Sequence, residues 1–580
     1  MRAKSAKWIY QHQHNHIAEK SSLCGCLISL SCLGGFVGWL TVEAWDILVI
    51  GDGPAALRSA AVSAKNGAKT LLISSAALGN GGSTALDGLA TSIQEMNNRG
   101  HREDTIKSGY FLCDQDIVTI KTNMAIDEMN HLEKAGVVFS RDAKGLPLTK
   151  KGIGHSSPRI VDAGDASVRD VQQVLEEQCM KNGVVRRGDQ LPVLLASTNQ
   201  KVDGVITLDM VNGRFIAIQT KAIIIADGGF EGVFNGNSIG FGMDLAMQAG
   251  LPLRGMEFIA KTPFGVADTK LTLSSNMLSY GADLCDESGN ELIADNLVEL
   301  CHVISDTSGA VVDCRDMGDD KVWWQSAFRT VKSSTGVDMN KYTVGLENRV
   351  NQTLGGIATD EFGRAVIGSW SRWFTGLYAA GDAACSGLNG AGTLPGNRLL
   401  DALTGGSSAG EHAAKWSSEQ SFSNAKNLLE SLESCKANFT AKFDGESVDM
   451  VRRVGALDQK LLDIATKYST SPNDANDLSK YLLQLEEAEI SAEGIFLDQQ
   501  SLIGNTNYSS LLRVQAGIRL LKASIRSSLA RNESRGVHQR KDFSEENPEL
   551  LHHITIDNMD NVGILAVRKG QKDNWILAPQ

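Results

Sequence analysis

The spacing of apolar and polar positions changes along this chain, and the changes divide it. Trp45–Ile50 (WDILVI) is a short, nearly unbroken apolar run, which predicts a strand buried on both faces. It leads into Gly51-Asp52-Gly53-Pro54-Ala55-Ala56. The following LRSAAVSAKNGA predicts a helix ending near Gly67, and KTLLIS predicts a second strand ending at Ser74. Strand–glycine–helix pieces of this kind fill residues 45–250 and return over 352–412, with an insertion of different texture at 253–351. From 415 to 530 the period is helical and amphipathic, as in DLSKYLLQLEEAEI, and 554–569 reads as two short strands.

The opening segment does not fit this scheme. Met1–Lys20 is polar and partly basic, and Leu23–Leu40 carries no charge but is diluted by Ser and Gly. A membrane anchor needs about 17–25 apolar residues, so the run sits at the lower edge. A signal peptide and an extension upstream of the true start are the other readings of residues 1–43.

At 580 residues the chain is too long for one core. A net charge of −12 without a long Lys/Arg block argues against nucleic acid or an anionic membrane surface as the main partner. The 10 cysteines are scattered; only Cys24 and Cys26 lie close together, with no matching distal pair. No metal site is therefore expected, and the thiols read as free in a reducing compartment.

Glycine loops carry the candidate chemistry. Gly51, Gly53 and Ala56 form a G-x-G-x-x-G/A fingerprint in its strand–turn–helix context. Gly51 permits the turn, Gly53 lets backbone N–H groups near a pyrophosphate, and Ala56 lets the helix pack on the strand, with Pro54 and Ala55 between them. Ser74, followed by Ser75, stands where an acid for the ribose hydroxyls is usual, which weakens any claim to NAD. GNGGSTALDGLA, with Ser83, Thr84 and Gly88, offers few obstacles to a flat ring. Gly376–Asp401 is a second stretch dominated by glycine and alanine, yet it holds one bulky cation, Arg398.

Several further signatures, in order, resemble the flavoprotein subunits of succinate dehydrogenase and fumarate reductase, with L-aspartate oxidase as close kin. They are HREDT from His101, LCDQDIV, LEKAGVVFSRDAKG, IIIADGGFEGVF, LGGIATDEFGRAV, GLYAAGDAACSGLNGAG and ARNESRGVHQRKDF. The resemblance covers about Trp45 to about His553. It implies an α/β fold: a Rossmann-like FAD-binding domain with an inserted α+β capping domain, then a helical domain and a small C-terminal segment. The implied boundaries are 44–252 and 352–414 for the FAD-binding domain, 253–351 for the cap, 415–532 for the helices and 533–580 for the end. It places Asp227, Gly228, Gly381, Asp382, Asn397 and Leu399 on FAD, with Asp382 where the family has a glutamate for ribose hydroxyls. Asn397 and Leu399 would lie near the ring, at the start of a helix beginning about Leu399.

The family's pattern fails at informative places. Gly82 replaces the histidine that often tethers FAD, with Asp87 for a nearby glutamine, so dissociable FAD is expected. Met256, Glu257 and Phe258 match a substrate motif, but its histidine is missing. Ser274-Ser275 replaces a Thr-Glu pair, Asn351 a second histidine, and Thr393 the substrate arginine. Dehydrogenating a dicarboxylate needs cations on both carboxylates and a positioned base. Lys261 and Arg398 are the candidates for a rearranged clamp, weighed against plain surface cations. Arg315 is the candidate for the family's mobile arginine; Arg159 with His155, and His302, are further nearby residues. Arg531, Glu533, Arg535, His538 and Arg540 read as an ionic network docking the C-terminal segment and a partner.

The resemblance implies an FAD-dependent oxidoreductase, with hydride transfer between a small (di)carboxylate and FAD. Electrons would pass to an iron–sulfur subunit, with membrane-anchor subunits beyond it, placing the chain in the cytoplasm or at the inner face of the membrane. A stand-alone L-aspartate-oxidase-like enzyme and a flavin-binding subunit with a decayed site are the alternatives.

Overall fold

The computed structural model describes residues 42–79, 87–93, 96–443, 453–470, 472–495, 497 and 499–579. The readings made for the opening segment, and for Ser83 and Thr84, fall outside these residues.

The predicted strand–helix–strand start is present as β1 (Glu43–Ile50), α1 (Pro54–Lys65) and β2 (Thr70–Ile73). β1 lies at the centre of the largest sheet, parallel to β2 on one side and to β6 (Arg214–Ile225) on the other. β3 (Val185–Arg187) extends the sheet beyond β2, while β4 (Gln190–Thr198) and β5 (Lys201–Asp209) form an antiparallel meander with β6. Two strands from much later in the chain join this sheet: β13 (Arg364–Val366) pairs antiparallel with β14 (Trp373–Ala379), which lies parallel to β6. Ile47, Leu48, Val49 and Ile223–Ile225 are almost wholly buried, which explains why these strands read as continuous apolar runs rather than alternating ones. Gly51 turns the chain out of β1 at φ +123°, where a Cβ would meet the Ala226 carbonyl oxygen at 2.2 Å. Only glycine fits there.

The insertion has its own sheet and its own apolar cluster, built around Phe264, Met277, Leu284, Trp324 and Val344. Its strands are β8 (Ile259–Val266), β9 (Asp283–Cys285), β10 (Val311–Asp313) and β11 (Val344–Thr353), in the order β8-β11-β10-β9, with α2 (Leu297–Asp306) against β8. A third sheet joins β7 (Leu253–Arg254), β12 (Gly356–Ala358) and β15 (Ala384–Cys385) to the C-terminal hairpin β16 (His552–Ile556) and β17 (Val562–Ala566). The hairpin is the pair of strands expected in the tail.

The amphipathic stretch forms long helices, among them α4 (Val454–Thr470), α5 (Ala475–Glu493) and α6 (Thr506–Ala530). Asp474 caps α5 by accepting from the Asn476 and Asp477 N–H groups. After α6 the chain enters the predicted ionic network. Arg531 is fully buried; its Nε donates to Glu257 at 2.7 Å and its Nη1 to Glu533 at 2.9 Å. Arg535 also binds Glu533, and Arg540 binds Asp542. The network therefore pins the segment after the helices to the chain just before β8.

Removing the arginine strands the Glu257 charge in a dry site, which costs about 3–5 kcal/mol when a buried pair loses one partner. Arg531→Met should lose stability of that order in urea unfolding, and adding Glu257→Met should recover much of it. Equal stability of the single variant and the parent would contradict this.

Candidate functional site

The nucleotide end is built by two helix starts. α1 begins at Pro54 behind Gly53, whose backbone is extended and which supplies no side-chain cap. Proline costs nothing there, because the first helical N–H groups have no intrahelical partner. α3 (Asn397–Ser418) starts two residues earlier than the sequence suggested, behind Gly396, again without a side-chain cap. The walls meet where a Cβ on Gly381 would lie 2.8 Å from the Ala55 Cβ. Ala55, Ala56 and Leu399 are buried; Ser74 is buried and accepts from the Ala76 N–H at 3.2 Å, whereas Ser75 is exposed.

Sequence reasoning named Asn397 but not what holds it. His101 Nε2 lies 2.8 Å from its Oδ1, and its Nδ2 donates to Thr105 at 3.0 Å. Burial pushes the His101 imidazole down to about 4, so it is neutral. Asp104, from the same HREDT motif, pairs at 2.5 Å with the fully buried Arg159, which His155 also contacts. The motif is thus a scaffold beneath the start of α3, and Arg159 belongs to it.

FAD fits this end of the molecule. The uncapped starts of α1 and α3 present backbone donors suited to phosphate and ring oxygens. The Thr91 and Ser92 hydroxyls, beside the Ala90–Gly396 backbone hydrogen bond, are buried without a partner among the described residues. Gly88 and Gly228, at φ +79° and +89°, make turns where a Cβ would meet the Val161 carbonyl at 2.6 Å and the Ser238 hydroxyl at 2.7 Å.

A second cluster surrounds Arg398. Its Nε donates to Asp382 at 2.6 Å, its Nη2 lies 2.5 Å from the same carboxylate and 3.5 Å from Glu231, and its Nη1 donates to the Asn351 carbonyl. Gln352 donates to the other Asp382 oxygen at 2.7 Å. Burial drives the Glu231 carboxyl up to about 7 against the pull of Arg398, and raises Asp227 to about 6. Asp227 accepts from the Gly242 N–H at 2.7 Å.

A cleft of about 540 Å³ lies between the cap, the helices and the C-terminal segment. Lys261, Cys301 and His302 line it from the cap, Tyr468 and Thr470 from α4, and His538 and Arg540 from beyond α6. Thr393, at the family's substrate-arginine position, also lines it. The β8–β11 pairing slips between Ala260 and Lys261, an irregularity of the kind that re-aims a side chain. Burial holds the Lys261 ammonium below the usual lysine range, and its nearest hydrogen-bond acceptor is the Thr470 carbonyl at 3.5 Å. Burial also pushes His538 down to about 3.

The candidate cations therefore separate. Lys261 faces the cleft, Arg398 is committed to Asp382 and Glu231, and Arg315 is exposed and paired with Asp313 at 2.6 Å. Two of the sequence's departures instead come together: Asp87 accepts from the Ser274 hydroxyl at 2.7 Å and the Ser275 N–H at 2.8 Å.

Comparison with known proteins agrees with this geometry. Residues 46–399 match the model of the FAD binding domain family, and residues 458–569 match the fumarate reductase flavoprotein C-terminal family. The fumarate reductase flavoprotein subunit of Mycobacterium tuberculosis is 26% identical over 574 residues, covering 90% of this chain and 96% of the relative. The succinate dehydrogenase flavoprotein subunit of Rickettsia conorii is 26% identical over 570 residues, covering 90% and 94%. Among solved structures, a chain of Escherichia coli quinol fumarate reductase superposes with a TM-score of 0.84 at 21% identity, covering 93% of this chain and 98% of that one. The chain belongs to the FAD-binding family of fumarate reductase and succinate dehydrogenase flavoprotein subunits, and is an FAD-dependent oxidoreductase.

Proposed function

We propose that this chain oxidises or reduces a carboxylic acid held in the Lys261 cleft. We further propose that it exchanges electrons with an iron–sulfur partner subunit, itself bound to membrane-anchor subunits at the cytoplasmic face. The carrying observation is a partly desolvated ammonium, Lys261, in a cleft that also takes in Thr393. A carboxylate is the natural partner for such a group, since a charge-assisted hydrogen bond gains strength where water is excluded. The relatives are named as subunits, which supports a partner. No helix among the described residues is long and apolar enough to cross a membrane.

Bound FAD supplies the two-electron acceptor or donor. The start of α1 would hold its phosphates and the start of α3 its ring, with Asn397 locked by His101 and Thr105. Asp382 is already fixed by Arg398 and Gln352, so any ribose hydroxyl it receives meets a carboxylate that does not need to reorganise. Arg398 is accordingly a positioning residue for Asp382, and Lys261 is the anchor for the acid.

Because Gly82 stands at the tethering position, acid or detergent denaturation should release all the flavin into the supernatant; colour retained on the polypeptide would contradict this. Anaerobic titration of the FAD-loaded protein with succinate and with other carboxylic acids tests the function. Bleaching of the flavin by at least one acid is expected, and no bleaching or reoxidation by any acid would overturn the reading.

Glu231 gives a pH test. Its folded value, near 7, is raised above the ordinary glutamate value, so its neutral form contributes stability at low pH that is lost as pH rises toward 7. Arg398, Asp382 and Asp227 are the charged groups acting on it. In thermal melts, Glu231→Gln should gain on the parent from pH 5 to about pH 7 and level off above it. A difference independent of pH would contradict the assignment.

A further inference from the structure

We infer that the cleft selects a monocarboxylate with a bulky apolar body, in preference to a succinate-sized dicarboxylate. This rests on reading the Lys261 cleft as the substrate chamber.

Charge is the first argument. A dicarboxylate requires two cations free to bind it. Arg540 is spent, because its Nε and Nη2 donate to Asp542 at 2.8 and 2.7 Å and its Nη1 to the Ser528 carbonyl at 2.7 Å. His538 is neutral, with its Nε2 at 3.4 Å from the Arg531 carbonyl. Arg398, Arg315 and Arg159 are each paired elsewhere. Among the described lining residues, Lys261 is the one lysine or arginine that forms no ion pair. Negative charge is also present: the exposed Asp306 lines the cleft, whereas Glu257 is paired with Arg531. A second carboxylate would meet Asp306 and the His302 imidazole, with no second unpaired lysine or arginine among the described lining residues.

Size and surface give the second argument. About 540 Å³ lies within the range of roughly 300–1,000 Å³ that holds ligands with substantial apolar bodies. A succinate-sized acid would leave most of it to water. Ile259, Leu297, Val298, Leu478 and Val537 provide apolar wall on several sides of Lys261. An acid carrying an aryl or branched alkyl group would cover this wall while its carboxylate reaches the ammonium, and burial of that apolar area would add to affinity.

The test is calorimetric binding of 3-phenylpropanoate and of succinate to the FAD-loaded protein, repeated on Lys261→Met and Lys261→Arg. 3-Phenylpropanoate should bind about tenfold or more tighter than succinate. Lys261→Met should weaken it by about tenfold or more, and Lys261→Arg should keep most of the affinity. Flavin content and melting temperature should not change in either variant. Succinate binding more tightly, with dependence on Lys261 retained, would overturn the substrate class and leave the chamber standing. Binding insensitive to Lys261→Met, or no binding of either acid, would overturn both.

Discussion

The buried guanidinium of Arg531 is the constraint on which the working parts depend. It lies where α6 ends, and its partners come from different regions: Glu257 from just before the cap strand, Glu533 from its own segment, and the Leu550 and His552 carbonyls from the entry to the C-terminal hairpin. A fully buried ion pair contributes little net stability over an apolar substitute, but it tolerates only one geometry. Here that geometry brings the cap, the helices and the last segment together around a single cleft, with His538 and Arg540 carried into its wall by the same turn. The three parts that wall the cleft are thus joined by this one buried charge.

The same logic recurs at smaller scale. Asp114 receives Arg254 and His553, joining the region before a long helix to the third sheet and its hairpin. Asp104 receives Arg159, fixing the loop beneath the start of α3. Asp382 receives Arg398. In each case an acid and a base meet in a nearly dry site, far apart in sequence for Asp114 and Asp104 and within one glycine-rich stretch for Asp382, and the backbone between them is positioned as a result. Most arginines that sequence inspection would offer as substrate clamps are consumed in this way.

Much of the fold was legible because it depends on local pattern. Ile47 to Ile50 and Ile223 to Ile225 read as buried strands because they are buried on both faces, and α5 and α6 read as helices because one face of each is apolar. The FAD end was legible through glycines whose backbone angles or close contacts exclude other residues, as at Gly51. What was not legible was pairing across the chain. Nothing local links Glu257 to Arg531, or Arg398 to Glu231. Asp87 and Ser274-Ser275 each looked like an isolated loss, yet they hydrogen-bond to one another, so one departure accommodates the other. Lys261 was visible as a cation near a lost histidine, but the slip in strand pairing beside it was not.

The central claim is that the acid binds where the cap, the helices and the last segment converge. Hydrogen–deuterium exchange on the FAD-loaded protein, with and without saturating carboxylate, measures this directly. The account predicts added protection in peptides covering Ile259–Val266, Leu297–Asp306, the end of α4 and residues 537–540, with the nucleotide loop at Gly51–Ala56 unchanged. Protection confined to other surfaces, with these peptides unaffected, would contradict it.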